Sequence, residues 1–189
     1  MNICVFSGSS GGRRDSYRNA ATALGRALAA RDIGLVYGGA QVGLMGAVAD
    51  AVLADGGSAI GVIPESLAAV EIAHQRLTEL KIVTTMHERK ADMAARSTAF
   101  IALPGGIGTL EEMFEVWTWS QLGIHAKPVG LLNVDGYYDA LLAFLDHTSS
   151  EGFVKPLHRE MLLTDTDPGS LIDRLLATEV PVAKKWVEP

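Results

Sequence analysis

The sequence predicts an α/β protein, a Rossmann-like three-layer sandwich around a mostly parallel sheet. Three observations carry that reading. Short apolar runs alternate with helix-length runs along the chain, which implies parallel strands joined by right-handed helical crossovers. Several of the apolar runs are continuous and bounded by Gly or Pro, as strands covered on both faces are. Three turns rich in small residues each follow a strand and precede a helix. They therefore collect on the rim where open parallel sheets bind ligands.

Each element has its own warrant. A first strand is expected at residues 2–6, ending in Ser7-Gly8-Ser9-Ser10-Gly11-Gly12. Tyr17, Ala20, Leu24 and Leu28 then recur at spacings of three to four, the period of one buried helix face. A second strand at 34–37 runs into Gly38-Gly39, with Gly43 and Gly46 close behind and a helix over about 44–54. Strands at 59–63 and 82–84 precede a helix over 88–96. The fifth strand, 99–103, opens into Pro104-Gly105-Gly106-Ile107-Gly108-Thr109 and a helix over 110–122. A sixth strand at 128–134 is followed by a helix over 137–147, and a last helix is expected near 170–177.

The length of 189 residues fits one domain, spanning 1–189. A chain with 48% apolar and 20% charged residues is not disordered. Acids outnumber bases 22 to 16, for a net charge of −6. That balance argues against nucleic acid as a partner, because phosphate backbones need clustered Lys and Arg. No apolar run approaches the ~18 residues of a membrane helix, and no leader pattern opens the chain. Cys4, the single cysteine, cannot form an internal disulfide, which suits the cytoplasm. The five histidines are scattered with no i,i+4 pair, so no metal site is expected.

The strongest chemical signal is PGGIGTLEE, Pro104 to Glu112. Gly105, Gly106 and Gly108 let backbone N–H groups approach a ligand, Thr109 adds a hydroxyl, and the helix dipole favours negative charge there. Neither a P-loop nor a dinucleotide GxGxxG pattern is present, so the turn suits a single phosphate. Glu112 has two readings at this point. Thr109-Leu110-Glu111-Glu112 has capping-box spacing, in which the glutamate bonds back to the helix start. Alternatively, its carboxylate faces a bound sugar phosphate. Just upstream, Arg89 and Lys90 sit near the start of a helix, where the dipole disfavours cations. Either an external anion holds them or they form a surface pair with Glu88 or Asp92. His87 reads as a structural residue rather than a catalyst.

PGGIGTLEE, preceded by MHERKADM with Arg89 lying 23 residues before Glu112, resembles the "Lonely guy" family of cytokinin riboside 5′-monophosphate phosphoribohydrolases, long mislabelled lysine decarboxylases. The likeness extends through SGSS, YGGAQVGLMGAVADA, GVIPESL and WSQLGIHAKPVGLLNVDGYYDALLAFLD, nearly the whole chain. It implies hydrolysis of the N-glycosidic bond of N6-modified adenosine monophosphates, without metal or organic cofactor, by a homodimer. It also implies roles for particular residues. Arg89 and Glu112 fall on catalytic positions, Gly105 to Glu112 on the nucleotide-binding stretch, and Glu71, Lys90 and Thr118 on further nucleotide contacts.

A rival from another class is a non-catalytic nucleotide carrier, like the molybdenum-cofactor carriers that look similar in fold. Such a protein would keep the glycine turns without needing both Arg89 and Glu112. A homodimer is also read from the helix after Glu112. Met113, Phe114 and Trp117 share one stripe, while Val116 and Trp119 lie elsewhere around the axis. A helix apolar on more than one face is expected to be buried twice.

Overall fold

Alternate residues of a strand face opposite ways, and this period of two divides the core in halves. Ile3 and Val5 join one buried cluster; Cys4 and Phe6, their immediate neighbours, join the other. The molecule is a computed structural model describing residues 1–68 and 73–181. In chain order its elements are β1 (Asn2–Phe6), α1 (Asp15–Ala29), β2 (Gly34–Tyr37), α2 (Gly43–Ala54), β3 (Ala59–Pro64), α3 (Glu65–Ala68), β4 (Glu79–Val83) and α4 (Met86–Ala95). There follow β5 (Ala99–Ala102), α5 (Ile107–Gln121), β6 (Val129–Leu132), a 3-10 turn at Val134–Gly136, α6 (Asp139–Ser150), α7 (Pro156–Glu160), β7 (Leu162–Asp165) and α8 (Pro168–Ala177).

The seven strands form one sheet in the order β4-β3-β2-β1-β5-β6-β7. Every pairing is parallel. One face carries α1, α2 and α8, through Leu24, Leu28, Val48, Val52, Leu171 and Leu175. The other carries α4, α5 and α6, through Met93, Met113, Trp117 and Leu145. From β1 the order runs outward through β2 to β4 on one side and through β5 to β7 on the other. The loops after β1 and β5 therefore leave toward opposite faces, and a crevice opens between them.

The expected sandwich is observed, with local differences in the strands. A seventh strand, β7, was not expected, because its four residues, LLTD, hold only two apolar side chains and show no period that separates strand from helix. The edge strand β4 begins at Glu79 rather than Ile82. Its charged residues face partners on or beside α4, with Lys81 bonded to Asp92 and Glu79 to Arg96. Charges on an edge strand hide it from an apolar-run search while guarding against edge-to-edge association. Strand β6 stops at Leu132 because Asn133 turns the chain. Its side chain donates to Asp139 at 2.7 Å and accepts from the Tyr138 N–H at 2.8 Å.

Candidate active site

A cleft of about 330 Å³ opens at the crevice between β1 and β5. Ser7 and Gly8 enter it from the end of β1, Gly38 from the end of β2, Gly106 to Thr109 from the start of α5, and Arg89 from α4. Backbone bonds tie these turns together. The Gly8 N–H donates to the Pro104 carbonyl at 3.2 Å, and the Leu44 N–H donates to the Gly8 carbonyl at 3.0 Å. Closeness of this kind demands glycine. A Cβ on Gly105 would collide with the Thr109 side chain and stand 2.9 Å from the Gly8 nitrogen.

Arg89 is the most informative group. It is 5% exposed, its Nη2 donates to the Gly38 carbonyl at 3.3 Å, and its Nε has no hydrogen-bond partner among the described residues. A Cβ on Gly38 would overlap that Nη2, so the glycine is what admits the guanidinium. A second, soft contact runs from its Nη1 to the Met86 sulfur at 3.8 Å, and a guanidinium buried this deeply needs compensating charge or hydrogen bonds.

Helix α5 starts at Ile107 with Gly106 as its cap, and no side chain caps it. Thr109 is therefore the third helical residue, not the cap, and the capping-box reading of Thr109 to Glu112 is overturned. The uncapped first-turn N–H groups face the cleft with the positive end of the dipole behind them. Cβ atoms at Gly106 and Gly108 would meet nothing within 4 Å, so that rim is open to a ligand. A related double cap, with the glutamate reaching one residue further back, is found instead on α4. Thr85 Oγ1 accepts from the Glu88 N–H at 3.1 Å, and Glu88 Oε2 accepts from the Thr84 N–H at 2.8 Å.

Glu112 lines the cleft about one and a half turns into α5. Its field and that of Arg89 meet on one buried side chain, Cys4. Burial pushes the Cys4 thiol well up, Glu112 pushes it further, and Arg89 draws it back. A carboxylate from α5 and a guanidinium from α4 thus line the same cleft.

Lys90 is placed differently from either expectation. It is nearly buried and ion-paired to Glu111 at 2.5 Å and Glu115 at 2.9 Å, both on α5. Glu88 serves the cap and Asp92 pairs with Lys81 and Arg96, so neither is Lys90's partner. Burial alone would lower the Lys90 pKa, but the two carboxylates outweigh it and the net shift is upward. Gly105 borders a neighbouring cavity rather than this cleft, and Leu110 is not among the cleft residues. Thr118 is exposed on α5, outside the cleft, and Glu71 lies outside the described residues. His87 is exposed rather than packed.

Ser7 is a cleft residue that sequence reasoning passed over. It is 6% exposed and its hydroxyl has no partner among the described residues. Its signal was present, a hydroxyl at the first position after a buried strand, but SGSS reads as turn chemistry. No three His, Cys, Asp or Glu side chains converge on a metal position among the described residues.

Fold and site together define a Rossmann-like α/β protein with a polar cleft at the topological switch point of its sheet. Solved structures agree on the fold. The molybdenum cofactor carrier protein of Chlamydomonas reinhardtii superposes with a TM-score of 0.70 at 20% identity, over 94% of this chain and 98% of that one. The molybdenum cofactor binding protein of Rippkaea orientalis gives 0.70 at 21%, over 93% and 95%. The family model "Possible lysine decarboxylase" matches residues 45–175. Curated relatives are far closer in sequence. The probable cytokinin riboside 5′-monophosphate phosphoribohydrolase LOGL9 of Oryza sativa subsp. japonica is 58% identical over 92% of this chain and 76% of its own length. LOG3 of Arabidopsis thaliana, a cytokinin riboside 5′-monophosphate phosphoribohydrolase, is 53% identical over 92% and 80%. This chain belongs to the cytokinin riboside 5′-monophosphate phosphoribohydrolase family.

Proposed function

We propose that the chain hydrolyses the N-glycosidic bond of N6-modified adenosine 5′-monophosphates, with AMP as a further substrate, releasing free base and ribose 5-phosphate. The observation that carries this reading is Arg89, a buried cation that lines the cleft beside the uncapped start of α5. An anionic ligand there meets both the guanidinium and the first-turn N–H groups.

In this reading the 5′-phosphate sits on the N–H groups and hydroxyl of Gly106 to Thr109. Clamping it turns remote binding energy into alignment at C1′. Glu112, further along the same helix, faces the ribose. As the C1′–N9 bond breaks, positive charge builds at C1′ and O4′, and the carboxylate stabilises it and orients the attacking water. Water adds to C1′, and the base departs with a proton. Arg89 balances the phosphate or the leaving base. Lys90, held by Glu111 and Glu115, supports the α4–α5 wall of the cleft and fixes Glu111 at its mouth.

Two rivals fare worse. Amino-acid decarboxylation through a pyridoxal Schiff base needs a lysine that gives up its proton, whereas Lys90 is held protonated by two carboxylates. The molybdenum cofactor carriers share the fold at 20–21% identity, which carries no argument about ligand. We further propose a cytoplasmic homodimer meeting along the outer side of α5. Leu122 and Ile124 at its end are 40% and 65% exposed, and Thr118, exposed on the same helix, would then contact nucleotide only with a second copy present.

Incubation with N6-isopentenyl-AMP, AMP and N6-isopentenyladenosine, followed by chromatography, tests the reading. Free base should appear from the nucleotides and far more slowly from the riboside. Glu112→Gln should still bind nucleotide but lose at least ~10²-fold in kcat. Equal turnover of riboside and nucleotide sinks the phosphate clamp, and a fully active Glu112→Gln removes that residue from the chemistry.

A further inference from the structure

Tyr137 lies outside the cleft, on the far side of the Pro104-Gly105-Gly106 turn. It lines a second cavity of about 280 Å³ that shares Gly8, Ser9 and Gly106 with the first. Its hydroxyl donates to the Gly105 carbonyl at 2.5 Å. The adjacent Tyr138, 1% exposed, donates to the Leu103 carbonyl at 2.7 Å. The two acceptors bracket Pro104, which has no N–H of its own to anchor the turn. Neighbouring phenols thus hold the carbonyls on either side of it.

The clamp is braced from two directions. Tyr17 and Tyr138 meet the Tyr137 ring edge-on, at centroid distances of 5.6 and 4.9 Å. The loop that carries Tyr137 is tied to the start of α1, where Ser16 Oγ donates to Asp135 at 2.6 Å and Arg14 pairs with the same carboxylate at 3.7 Å.

A trans peptide is planar, so its C=O and N–H point in opposite directions. No peptide among the described residues is cis. With the Gly105 carbonyl drawn toward Tyr137, the N–H of Gly106 is turned away from that hydroxyl, at a residue that also lines the cleft. A Cβ at Gly106 would touch nothing within 4 Å, so packing at that residue does little to select the orientation. Between two glycines the peptide is otherwise free to rotate.

We propose that Tyr137 is a positioning residue whose hydroxyl sets the Gly105–Gly106 peptide, so that the Gly106 N–H stands as a preset donor to the anion bound at the start of α5. This rests on the phosphate reading of that turn. Ribose 5-phosphate and adenine are titrated by calorimetry into the wild type, Tyr137→Phe and Thr109→Val, with nucleotide kinetics alongside. Tyr137→Phe keeps the ring and its edge contacts while removing the donor. It should weaken ribose 5-phosphate about fivefold, the worth of one hydrogen bond. Adenine affinity should be unchanged, and the nucleotide KM should rise with kcat nearly constant. Unchanged ribose 5-phosphate affinity in Tyr137→Phe, with a loss in Thr109→Val, overturns the positioning role and leaves the phosphate reading standing. Equal weakening of both ligands also overturns it, since that is the mark of a merely structural residue. If Thr109→Val binds ribose 5-phosphate as the wild type does, the phosphate reading fails and the positioning role falls with it.

Discussion

At Gly38 a single hydrogen atom in place of a methyl group admits the Arg89 guanidinium. An added Cβ would overlap Nη2 and stand 3.2 Å from the Met45 sulfur, so Gly38→Ala must displace the arginine or the strand end. Overpacking of this kind costs about 1–3 kcal/mol. On the proposed mechanism the same shift would take Arg89 off its anion, and small misplacements of catalytic groups cost as much as ~10²-fold in rate. Gly38→Ala should therefore lose far more kcat/KM than its melting temperature accounts for. Steady-state kinetics beside thermal denaturation checks this, and wild-type activity would mean that the guanidinium has room elsewhere. Arg89 and Glu112 were legible as residues because each sits in a dense local motif. Their convergence on one cleft was not, since it depends on two separate helices docking on the same sheet face. Lys90 was the harder case. Its partners, Glu111 and Glu115, lie on the next helix but one turn apart, and no local spacing links them to it.

At the scale of elements, the turn from β7 into α8 is organised by one carboxylate. Asp165 Oδ1 accepts from the Thr166 and Asp167 N–H groups at 2.8 and 3.1 Å, while Oδ2 accepts from Ser170 Oγ at 2.7 Å and Arg174 at 3.0 Å. The backbone bond from Asp167, then Ser170, Arg174 and Thr166, outweigh burial and pull its pKa down to about 2. A depressed pKa means stability that is present above the ordinary carboxylate range and lost as pH falls. The window runs from about 4, the unfolded value, down to about 2. Asp165→Asn should cost about 1.5–3 kcal/mol at neutral pH, and the gap between variant and wild type should close as pH drops through that window. Urea unfolding at several pH values measures it; a gap independent of pH would sink the assignment. Neither this hub nor β7 was visible beforehand. A four-residue strand carries too little periodicity to declare itself. The longer apolar runs were better guides: β1 and β2 have the expected ends, because burial on both faces leaves no polar interruption. Helix α5 starts three residues earlier than expected, at Ile107, since a glycine-rich first turn contributes no apolar stripe.

For the whole molecule, α5 buries one stripe, and that stripe includes Val116, which was expected elsewhere around the axis, rather than Phe114. Met113, Val116 and Trp117 form the fully buried stripe, with Trp117 Nε1 donating to the His158 carbonyl at 3.0 Å. Phe114 and Trp119 are only half-buried, and Leu122 and Ile124 are exposed beyond them. Light scattering at micromolar concentration should give twice the 20.1 kDa chain mass, and Ile124→Lys should shift it toward monomer, because a buried unpaired charge opposes association. A wild-type monomer mass would count against the dimer. The overall architecture was the most legible level of all, because alternation of strand and helix admits few topologies. That same strand order has a bearing on how the chain is made. Ile3 at the start finds its neighbour Ala99 only past the midpoint of the sequence. As the chain emerges during synthesis, β2, β3 and β4 can add to β1 before the β5 residues exist. One edge of β1 then stands unpaired, and this open edge is the flank on which the cleft is later built. Docking of β5 closes the edge and creates the cleft in one event. A chain stalled before it carries both an aggregation-prone edge and no active site.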